Sequence, residues 1–338
     1  MKALSFILFA CYVNAHGTGL PVPATVPGLA SMFQGHIDVP FGCGVNVDDM
    51  PPTAPSQNLA ALWLRGAFHD VGKYDPATQV PSQGLLPSYL NQPENNGIGV
   101  SIATNFASKF KFNYSSADFI ALAGQVTVTH CGGPVFNFSL GRVDAPATTK
   151  FTDLPLLPDD ILDTYQVIKQ KLQRLGFNNQ DIVALVMGSH SIGGAHKAIS
   201  PHATNKKFQP FDTTPGIFDN DVFKEALKGN CVLNVDCNIA KDPELKPIVQ
   251  LYANDQKAFF TQYAESYVKM TTVGQSGYPN WASFHLNVTV HEYLVEEGGI
   301  NPVHPSASAT VSATTKSAGS LVSLSLVSLI GSFFLLLL

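Results

Sequence analysis

Apolar side chains recur at helical spacing through the middle of the chain, and this pattern predicts a mainly α-helical fold. We expect Ser116 to cap the second predicted helix, Asp159 or Asp160 to cap the third, and Gly176 to end the third. The predicted helices are 56–69, 117–129, 161–175, 178–189 and a long one that starts at Asp242-Pro243 and runs through Tyr267.

Strand-like alternation occurs mainly near residues 284–290, and the chain has no internal repeat. Two connections, 71–95 and 197–218, are long for segments without regular structure. Such connections in a compact domain usually carry function or enclose a ligand. We therefore predict that 16–300 folds as one domain or as two intimate halves.

Both ends of the chain carry targeting patterns. Residues 1–15 combine Lys2, an apolar run and small residues, which predicts a secretory signal; a buried N-terminal helix is the alternative. Residues 301–320 are rich in Ser, Thr and Ala, and 321–338 are almost wholly apolar, which is the pattern of a glycosylphosphatidylinositol anchor signal. A single C-terminal membrane span is the alternative. We expect a secreted protein held at the plasma membrane or cell wall by a lipid anchor.

Charged residues make up 13% of the chain, about half of the usual share of ~25%. The net charge is −5, and no run is rich in Lys and Arg, which argues against a nucleic-acid partner because phosphate binding needs a basic face. A hydrophobic content of 45% excludes a disordered chain.

The cysteine content predicts two disulfides. Cys11 leaves with the signal, and the four that remain are Cys43, Cys131, Cys231 and Cys237. An even number in an exported chain indicates a disulfide framework, with three possible pairings. We favour Cys43–Cys131 and Cys231–Cys237, because the second pair can close a small loop. Sequons for N-glycosylation, also typical of an exported surface, occur at Asn113, Asn137 and Asn287.

The segment Leu64-Arg65-Gly66-Ala67-Phe68-His69-Asp70 is the first with candidate chemistry. Arg65 and His69 are four residues apart, so both project from one face of a helix. A permanent cation beside an imidazole suits acid–base work on a small polar substrate. An ordinary polar helix edge is the alternative.

Two further segments could bind metals. An apolar helix over 181–190 ends at His190 between small residues, so its imidazole could reach a metal; a hydrogen-bonded core histidine is the alternative. Residues 211–219 hold two carboxylates, hydroxyl groups and carbonyls, which suit a hard cation such as Ca²⁺. A capped turn before a helix is the alternative for that segment.

Together these segments resemble haem peroxidases of the plant, fungal and bacterial superfamily in order and spacing. The resemblance covers about 58–270, and its further motifs are Ala117-Asp118-Phe119-Ile120-Ala121-Leu122-Ala123-Gly124, Cys131-Gly132-Gly133-Pro134 and Gly141-Arg142-Val143-Asp144. The cation loop is similar to that of secreted fungal (class II) peroxidases, and 236–270 is similar to cytochrome c peroxidase. The resemblance implies a helical fold whose two halves sandwich haem b.

The resemblance also implies roles for individual residues. His190 matches the axial ligand of the haem iron, and Asp236 matches the carboxylate that bonds the other ring nitrogen of that ligand. His69 matches the distal acid–base residue, Arg65 its charged partner and Asn95 the amide that orients it. The aromatic residues expected on the distal and proximal sides of the haem are Phe68 and Phe211.

The implied reaction reduces hydrogen peroxide to water. His69 would take the proton from the inner peroxide oxygen and return it to the outer one, while Arg65 stabilises the developing charge. Two one-electron donors, expected to be phenols or other small aromatics, would complete the cycle. We expect the enzyme to be a monomer.

A calcium site on the proximal side is implied as well. Its expected ligands are Ser191, Asp212, Thr214, the carbonyl of Ile217 and Asp219. Because Ser191 follows His190, the cation would brace the proximal helix. The second cation site of secreted relatives is expected to be lost or weakened, since Asp70 is present but Leu86 stands where a carboxylate is needed.

Departures from the family pattern limit the expected donors. Asn58, Leu62 and His196 stand where manganese-oxidising relatives carry acids, and Leu185 stands where ligninolytic relatives carry an exposed Trp. We therefore expect neither Mn²⁺ oxidation nor lignin degradation.

Two other interpretations belong to different classes. A non-catalytic cell-wall protein with the peroxidase fold is the first, and the intact set Arg65, His69, His190 and Asp236 argues against it. The second is a copper site at His16, which would be N-terminal after cleavage. Copper enzymes of that kind are β-sandwiches, whereas this chain has helical periodicity.

Overall fold

A computed structural model of the chain describes residues 43–44, 58–99, 115–149, 157–275, 282–285, 295–296 and 299–300. The predicted signal, the linker over 301–320, the apolar tail, His16 and the sequons at Asn113 and Asn287 lie outside these residues. Within the described ranges, no helix has both the length and the apolar character needed to cross a membrane.

Helices dominate the described residues, which confirms the predicted fold class. They are α1 (Leu59–Gly72), α2 (Ser116–His130), α3 (Tyr165–Arg174), α4 (Asn179–Ile182), α5 (Asp221–Lys228), α6 (Asn234–Lys241), α7 (Lys246–Asn254) and α8 (Gln256–Thr272). A π-helical turn, Val183–Met187, continues α4 toward His190. Short 3-10 turns at Leu86–Ser88 and Pro93–Asn95 lie inside the predicted 71–95 connection.

The strands are short and pair as three antiparallel ribbons. β1 (Asn137–Leu140) pairs with β4 (Ala282–His285), β2 (Gly194–Ala195) with β3 (Gln209–Pro210), and β5 (Val295–Glu296) with β6 (Gly299–Ile300). The strand predicted near 284–290 begins earlier, at Ala282, and its part beyond 285 lies outside the described residues.

The core forms where α2 and α8 pack against α1. Gly124 on α2 permits this close approach, since a Cβ atom there would lie 2.2 Å from Oη of Tyr267 and 2.9 Å from Cβ of Ala67. Tyr267 is fully buried, and its hydroxyl donates to the carbonyl of Ala121 over 2.8 Å. Packing at this density leaves little freedom to the helix that carries Arg65 and His69.

Two arginine side chains connect neighbouring helices through hydrogen bonds. Arg142 is buried and bonds the carboxylate of Asp118 on α2 over 2.9 Å, while its Nε donates to the carbonyl of Thr271 on α8 over 2.6 Å. Arg174 on α3 donates to the carbonyl of Gly72 over 2.9 Å and thereby satisfies the last turn of α1.

Both predicted disulfides are confirmed. Cys43 bonds Cys131 across 88 residues, and Cys231 bonds Cys237 across six. The first bridge joins the segment before α1 to the end of α2, and the second joins the α5–α6 connection to α6.

The predicted start of α3 is wrong. The helix begins at Tyr165 rather than 161, because Thr164 caps it by accepting from the backbone N–H of Val167. The carboxylate of Asp159 instead accepts from the N–H groups of Ile161 and Leu162, which closes a separate turn. The side chains of Ile161 and Leu162 are therefore 58% and 83% exposed rather than part of an apolar face.

The long helix predicted from Asp242 is two helices. Asp255 separates α7 from α8, and its carboxylate caps α8 by accepting from the N–H of Ala258. Asp242 ends α6 instead of opening a long helix. Ser115 rather than Ser116 caps α2. Sequence analysis predicted neither α5 nor α6, since each has only eight residues and neither N-cap residue, Asn220 or Leu233, caps its helix with its own side chain.

Candidate active site

The distal side is built on one face of α1. His69 Nδ1 lies 2.8 Å from Oδ1 of Asn95, and Nδ2 of Asn95 donates to the carbonyl of Tyr89 over 2.7 Å. Because a carbonyl can only accept, this second bond fixes which way the Asn95 amide points. Its Oδ1 must then accept from Nδ1–H of His69, which leaves Nε2 of His69 as a free proton acceptor.

Backbone carbonyls position the Arg65 side chain. Its Nη1 donates to the carbonyl of Asn96 over 2.8 Å, and its Nη2 donates to the carbonyl of Glu94 over 2.9 Å. Burial lowers the pKa of Arg65 to about 10, so the guanidinium remains charged at neutral pH. The same short segment that holds His69 therefore also holds the cation beside it.

His69 is kept neutral by its surroundings. Burial is the main reason that the pKa of His69 falls to about 3; the positive charges of Arg65 and Lys73 also lower this pKa, and the hydrogen bond with Asn95 raises it. A neutral imidazole with a free Nε2 is the form that a general base requires.

The proximal side is built on His190, which follows the π-helical turn. Its Nδ1 lies 3.0 Å from each carboxylate oxygen of Asp236, a buried residue on α6. Burial alone would lower the pKa of His190, but the charge and hydrogen bond of Asp236 raise it above the ordinary value. The carboxylate of Asp160 accepts from the N–H of Val235 over 2.8 Å and so holds the start of α6 in place.

These residues fit a haem group. Asp236 engages Nδ1 of His190, so Nε2 is the nitrogen that can bond a metal, in the arrangement common among histidine ligands. The ring centroid of Phe211 lies 4.8 Å from that of His190, and that of Phe68 lies 6.1 Å from that of His69.

Two buried oxygen atoms beside the proximal helix have no hydrogen-bond partner among the described residues. They are Oγ of Ser191 and Oδ2 of Asp212. The pKa of Asp212 is raised to about 8, mainly by burial and also by the negative charges of Asp219, Asp221 and Glu225, whereas the hydrogen bond from Thr214 lowers it. Orphaned buried oxygens near several carboxylates are chemically suited to a hard cation.

The remaining predicted cation ligands lie in the same turn. Thr214 donates from its backbone N–H to Oδ1 of Asp212 over 2.9 Å and from its hydroxyl to Oδ1 of Asp219 over 3.2 Å. The N–H of Ile217 donates to the carbonyl of Thr214 over 2.8 Å. Among the described residues, no group of three or more His, Cys, Asp or Glu side chains could hold a metal, so a cation here would depend on hydroxyl and carbonyl oxygens as well.

Asp70 has a structural partner on the distal side. Its two oxygens accept from the backbone N–H groups of Gly84, over 2.8 Å, and of Leu86, over 3.1 Å. Burial raises the pKa of Asp70 to about 7. The carboxylate of Asp70 thus connects α1 to the loop that contains Gly84 and Leu86. This loop would supply further ligands in a distal cation site, but Leu86 has no side-chain oxygen.

Sequence analysis missed Lys73 and Glu94 in this region. Nζ of Lys73 forms a short ion pair with Oε1 of Glu94. The only available signal was spacing, since Lys73 follows His69 by four residues and extends the same helix face.

Comparison with known proteins agrees with this geometry. A protein-family model described as "Peroxidase" matches residues 49–255. The chain is 35% identical to L-ascorbate peroxidase 3 of Arabidopsis thaliana over 229 residues, which cover 65% of this chain and 76% of that protein. It is 33% identical to the cytosolic L-ascorbate peroxidase 1 of Oryza sativa subsp. japonica over 227 residues, which cover 64% of this chain and 87% of that one.

Proposed function

The chain belongs to the peroxidase family, and we propose that its two site histidines divide the reaction with hydrogen peroxide between them. The protein is a haem peroxidase, an enzyme that reduces hydrogen peroxide with electrons from a reducing donor. His190 is the residue that would hold the haem iron, and His69 is the proposed acid–base residue. The bond between His69 Nδ1 and Asn95 Oδ1 carries this proposal, because it leaves Nε2 of His69 free to accept a proton.

On the proximal side, His190 would bind the haem iron through Nε2. Haem bound there supplies the redox chemistry, and the protein supplies a ligand and its surroundings. Asp236 orients the imidazole and makes it a stronger electron donor by accepting from Nδ1–H. Phe211 restricts the ring of His190 from one side.

On the distal side, proton transfer is the task of His69. Its neutral imidazole accepts the proton of one peroxide oxygen at Nε2 and delivers it to the other oxygen, which leaves as water. Arg65 keeps a fixed positive charge beside the oxygens as their bond breaks. Asn95 keeps the ring in one tautomer throughout.

For the donor, we propose phenols and other small aromatics. The relatives named above are ascorbate peroxidases, so ascorbate is the competing donor. The aromatic proposal is supported by the two disulfides, which are typical of exported proteins, and by the cation loop over 211–219, whose sequence is similar to that of secreted fungal peroxidases. Secretion and a lipid anchor at the cell surface belong to the same proposal.

We propose Ca²⁺ at Ser191, Asp212, Thr214, Asp219 and the carbonyl of Ile217. The two orphaned oxygens of Ser191 and Asp212 support this assignment. The cation would connect the residue after His190 to the turn before α5 and so restrain the proximal histidine.

A donor panel on the haem-loaded enzyme tests the proposed function. Peroxide should shift the main haem absorption band, and phenols should restore it faster than ascorbate or Mn²⁺ does. Loss of that shift in His69→Leu, with haem content unchanged, is expected if His69 moves the proton. A faster return with ascorbate than with any phenol would overturn the donor assignment.

A further inference from the structure

Two residues of α1 and the residue that follows its last turn bond to one short turn. Arg65, His69 and Lys73 are spaced by four, so they form a row on one helix face. Among the described residues, the side-chain partners of this row come from the turn Pro93–Asn95 and the residue after it: two carbonyls for Arg65, the Asn95 amide for His69 and the Glu94 carboxylate for Lys73. Only the last contact is an ion pair between side chains.

We propose that Lys73 and Glu94 form a latch that positions the catalytic pair, an inference that rests on the roles proposed for His69 and Arg65. The latch holds the Pro93–Asn95 turn against α1. By doing so it keeps the Asn95 amide on Nδ1 of His69 and the carbonyl of Glu94 on Arg65. Lys73 and Glu94 are thus positioning residues, and neither contacts the reacting atoms.

The burial of the pair supports a positioning role. The side chain of Lys73 is only 10% exposed, and that of Glu94 is 30% exposed. In the ion pair between Lys169 and Glu244, by comparison, the glutamate is 67% exposed. Shielding from solvent makes an ion pair stronger and less sensitive to salt. Asn95 itself is 2% exposed, so a small shift of its turn would change the His69 bond directly.

Within the described part of the chain, the other hydrogen bonds of the turn are local. Its backbone N–H groups bond within the local chain, from Asn95 to the carbonyl of Gln92 and from Asn96 to that of Pro93. Nδ2 of Asn95 also bonds a local carbonyl, that of Tyr89. Among the described residues, the hydrogen bonds and the ion pair that link the turn to α1 therefore involve Arg65, His69 and Lys73, and Lys73 is the member whose loss leaves the chemistry of the other two intact.

Position can be separated from charge in the test. Lys73 also lowers the pKa of His69, but that pKa lies near 3, so His69 stays neutral at pH 7 with or without Lys73. Glu94→Gln removes the ion pair and keeps the lysine charge. A slower reaction at pH 7 in both Lys73→Met and Glu94→Gln would therefore reflect position.

The experiment measures the second-order rate constant of the haem-loaded enzyme with hydrogen peroxide by stopped flow. Lys73→Met and Glu94→Gln should each reduce it about tenfold, because small misplacements of catalytic groups are costly. Lys73→Arg, which keeps the charge and the donor, should restore it. Lys169→Met, which removes a similarly buried lysine from an ion pair elsewhere, is the matched control and should react like the parent.

A second measurement reports the tautomer of His69 without turnover. In the diamagnetic carbon monoxide adduct of the ferrous enzyme, ring ¹⁵N shifts should show the Nδ1–H form in the parent and in Lys73→Arg, and a mixture in Lys73→Met and Glu94→Gln. If Lys73→Met does not fold, Glu94→Gln decides the outcome alone.

Rates within twofold of Lys169→Met, or reduced rates with an unchanged His69 tautomer, would overturn the latch. His69→Leu distinguishes this failure from failure of the proposed function. If His69→Leu is slow while the latch variants are normal, only the latch is wrong; if His69→Leu reacts normally, the role of His69 is wrong as well.

Discussion

Both carboxylate oxygens of Asp236 lie 3.0 Å from Nδ1 of His190, although the two residues are 46 positions apart in the chain. The carboxylate is buried on α6, and the imidazole follows the π-helical turn after α4. On the other side, His69 is engaged at Nδ1 by Asn95 in the same way, but by a neutral amide. The anionic partner suits a metal ligand, and the neutral partner suits a base that must gain and lose a proton.

Asp236→Asn should weaken the electron-donating character of His190. We expect the reduction potential of the ferric haem to rise and the rate with peroxide to fall by about 10- to 100-fold, because Asn cannot accept the N–H bond as an anion. A spectroelectrochemical titration measures the potential. Asp242→Asn, at the other end of α6, is the control, and equal potentials in the two variants would contradict this role of Asp236.

His69→Leu should lower the rate constant with hydrogen peroxide by about 10²- to 10⁴-fold, the usual effect of losing a general acid–base group. His202→Gln, which changes an exposed histidine, should have no effect. Haem content should be equal in both variants. A His69→Leu enzyme with the parent rate constant would rule out the proton transfer assigned to His69.

The pH dependence of that rate constant follows from the low pKa of His69. His69 accepts a proton only in its neutral form, and its pKa of about 3 keeps it neutral over the usual working range. The rate constant should therefore stay flat between about pH 5 and pH 8 and fall as the pH approaches 3. Stopped-flow measurements across this range test the expectation, and a decline centred near pH 6.5 would show that His69 keeps an ordinary pKa.

Calcium should stabilise the haem-loaded enzyme through Asp212. A ligand at a hundred times its dissociation constant adds about 2.7 kcal/mol to the free energy of unfolding, so Ca²⁺ should raise the melting temperature and a chelator should lower it. Asp212→Asn should remove this response. Asp255→Asn is the control, because Asn is also a good cap for α8. An equal calcium response in Asp212→Asn would exclude Asp212 as a ligand.

The two disulfides should contribute unequally to stability. By the chain-entropy relation, a loop of 88 residues corresponds to about 4.6 kcal/mol and a loop of six to about 2.2 kcal/mol. Cys43→Ser/Cys131→Ser should therefore lower the free energy of unfolding by roughly twice as much as Cys231→Ser/Cys237→Ser. Denaturant titration measures both values, and the reverse order would contradict the entropic explanation.

Helical periodicity predicted the segments that line the core, because apolar side chains on α1 and α2 recur where those helices contact each other. It was wrong where short polar side chains determined the boundary. Asp159 closes its own turn before α3, and Asp255 interrupts a pattern that continues through α7 and α8. Competition of this kind between a side chain and the helix backbone leaves the apolar spacing unchanged, so spacing alone cannot reveal it.

The site residues were identified by motif rather than by periodicity. Arg65 and His69 share a helix face, which spacing shows, but the bonds from His69 to Asn95 and from His190 to Asp236 join residues 26 and 46 positions apart. The Lys73–Glu94 pair belongs to no motif and joins the end of α1 to the 3-10 turn Pro93–Asn95. Such a contact depends on how the connection after α1 folds back against that helix. The spacing of residues within a short segment does not predict this fold.

The absorption spectrum of the haem-loaded enzyme, compared between the parent and His190→Ala with and without hydrogen peroxide, tests the central claim most directly. If Nε2 of His190 bonds the iron, the variant should show an altered main band in the resting state and should lose most of the rapid parent response to peroxide. An unchanged band with the parent rate of response would contradict the account.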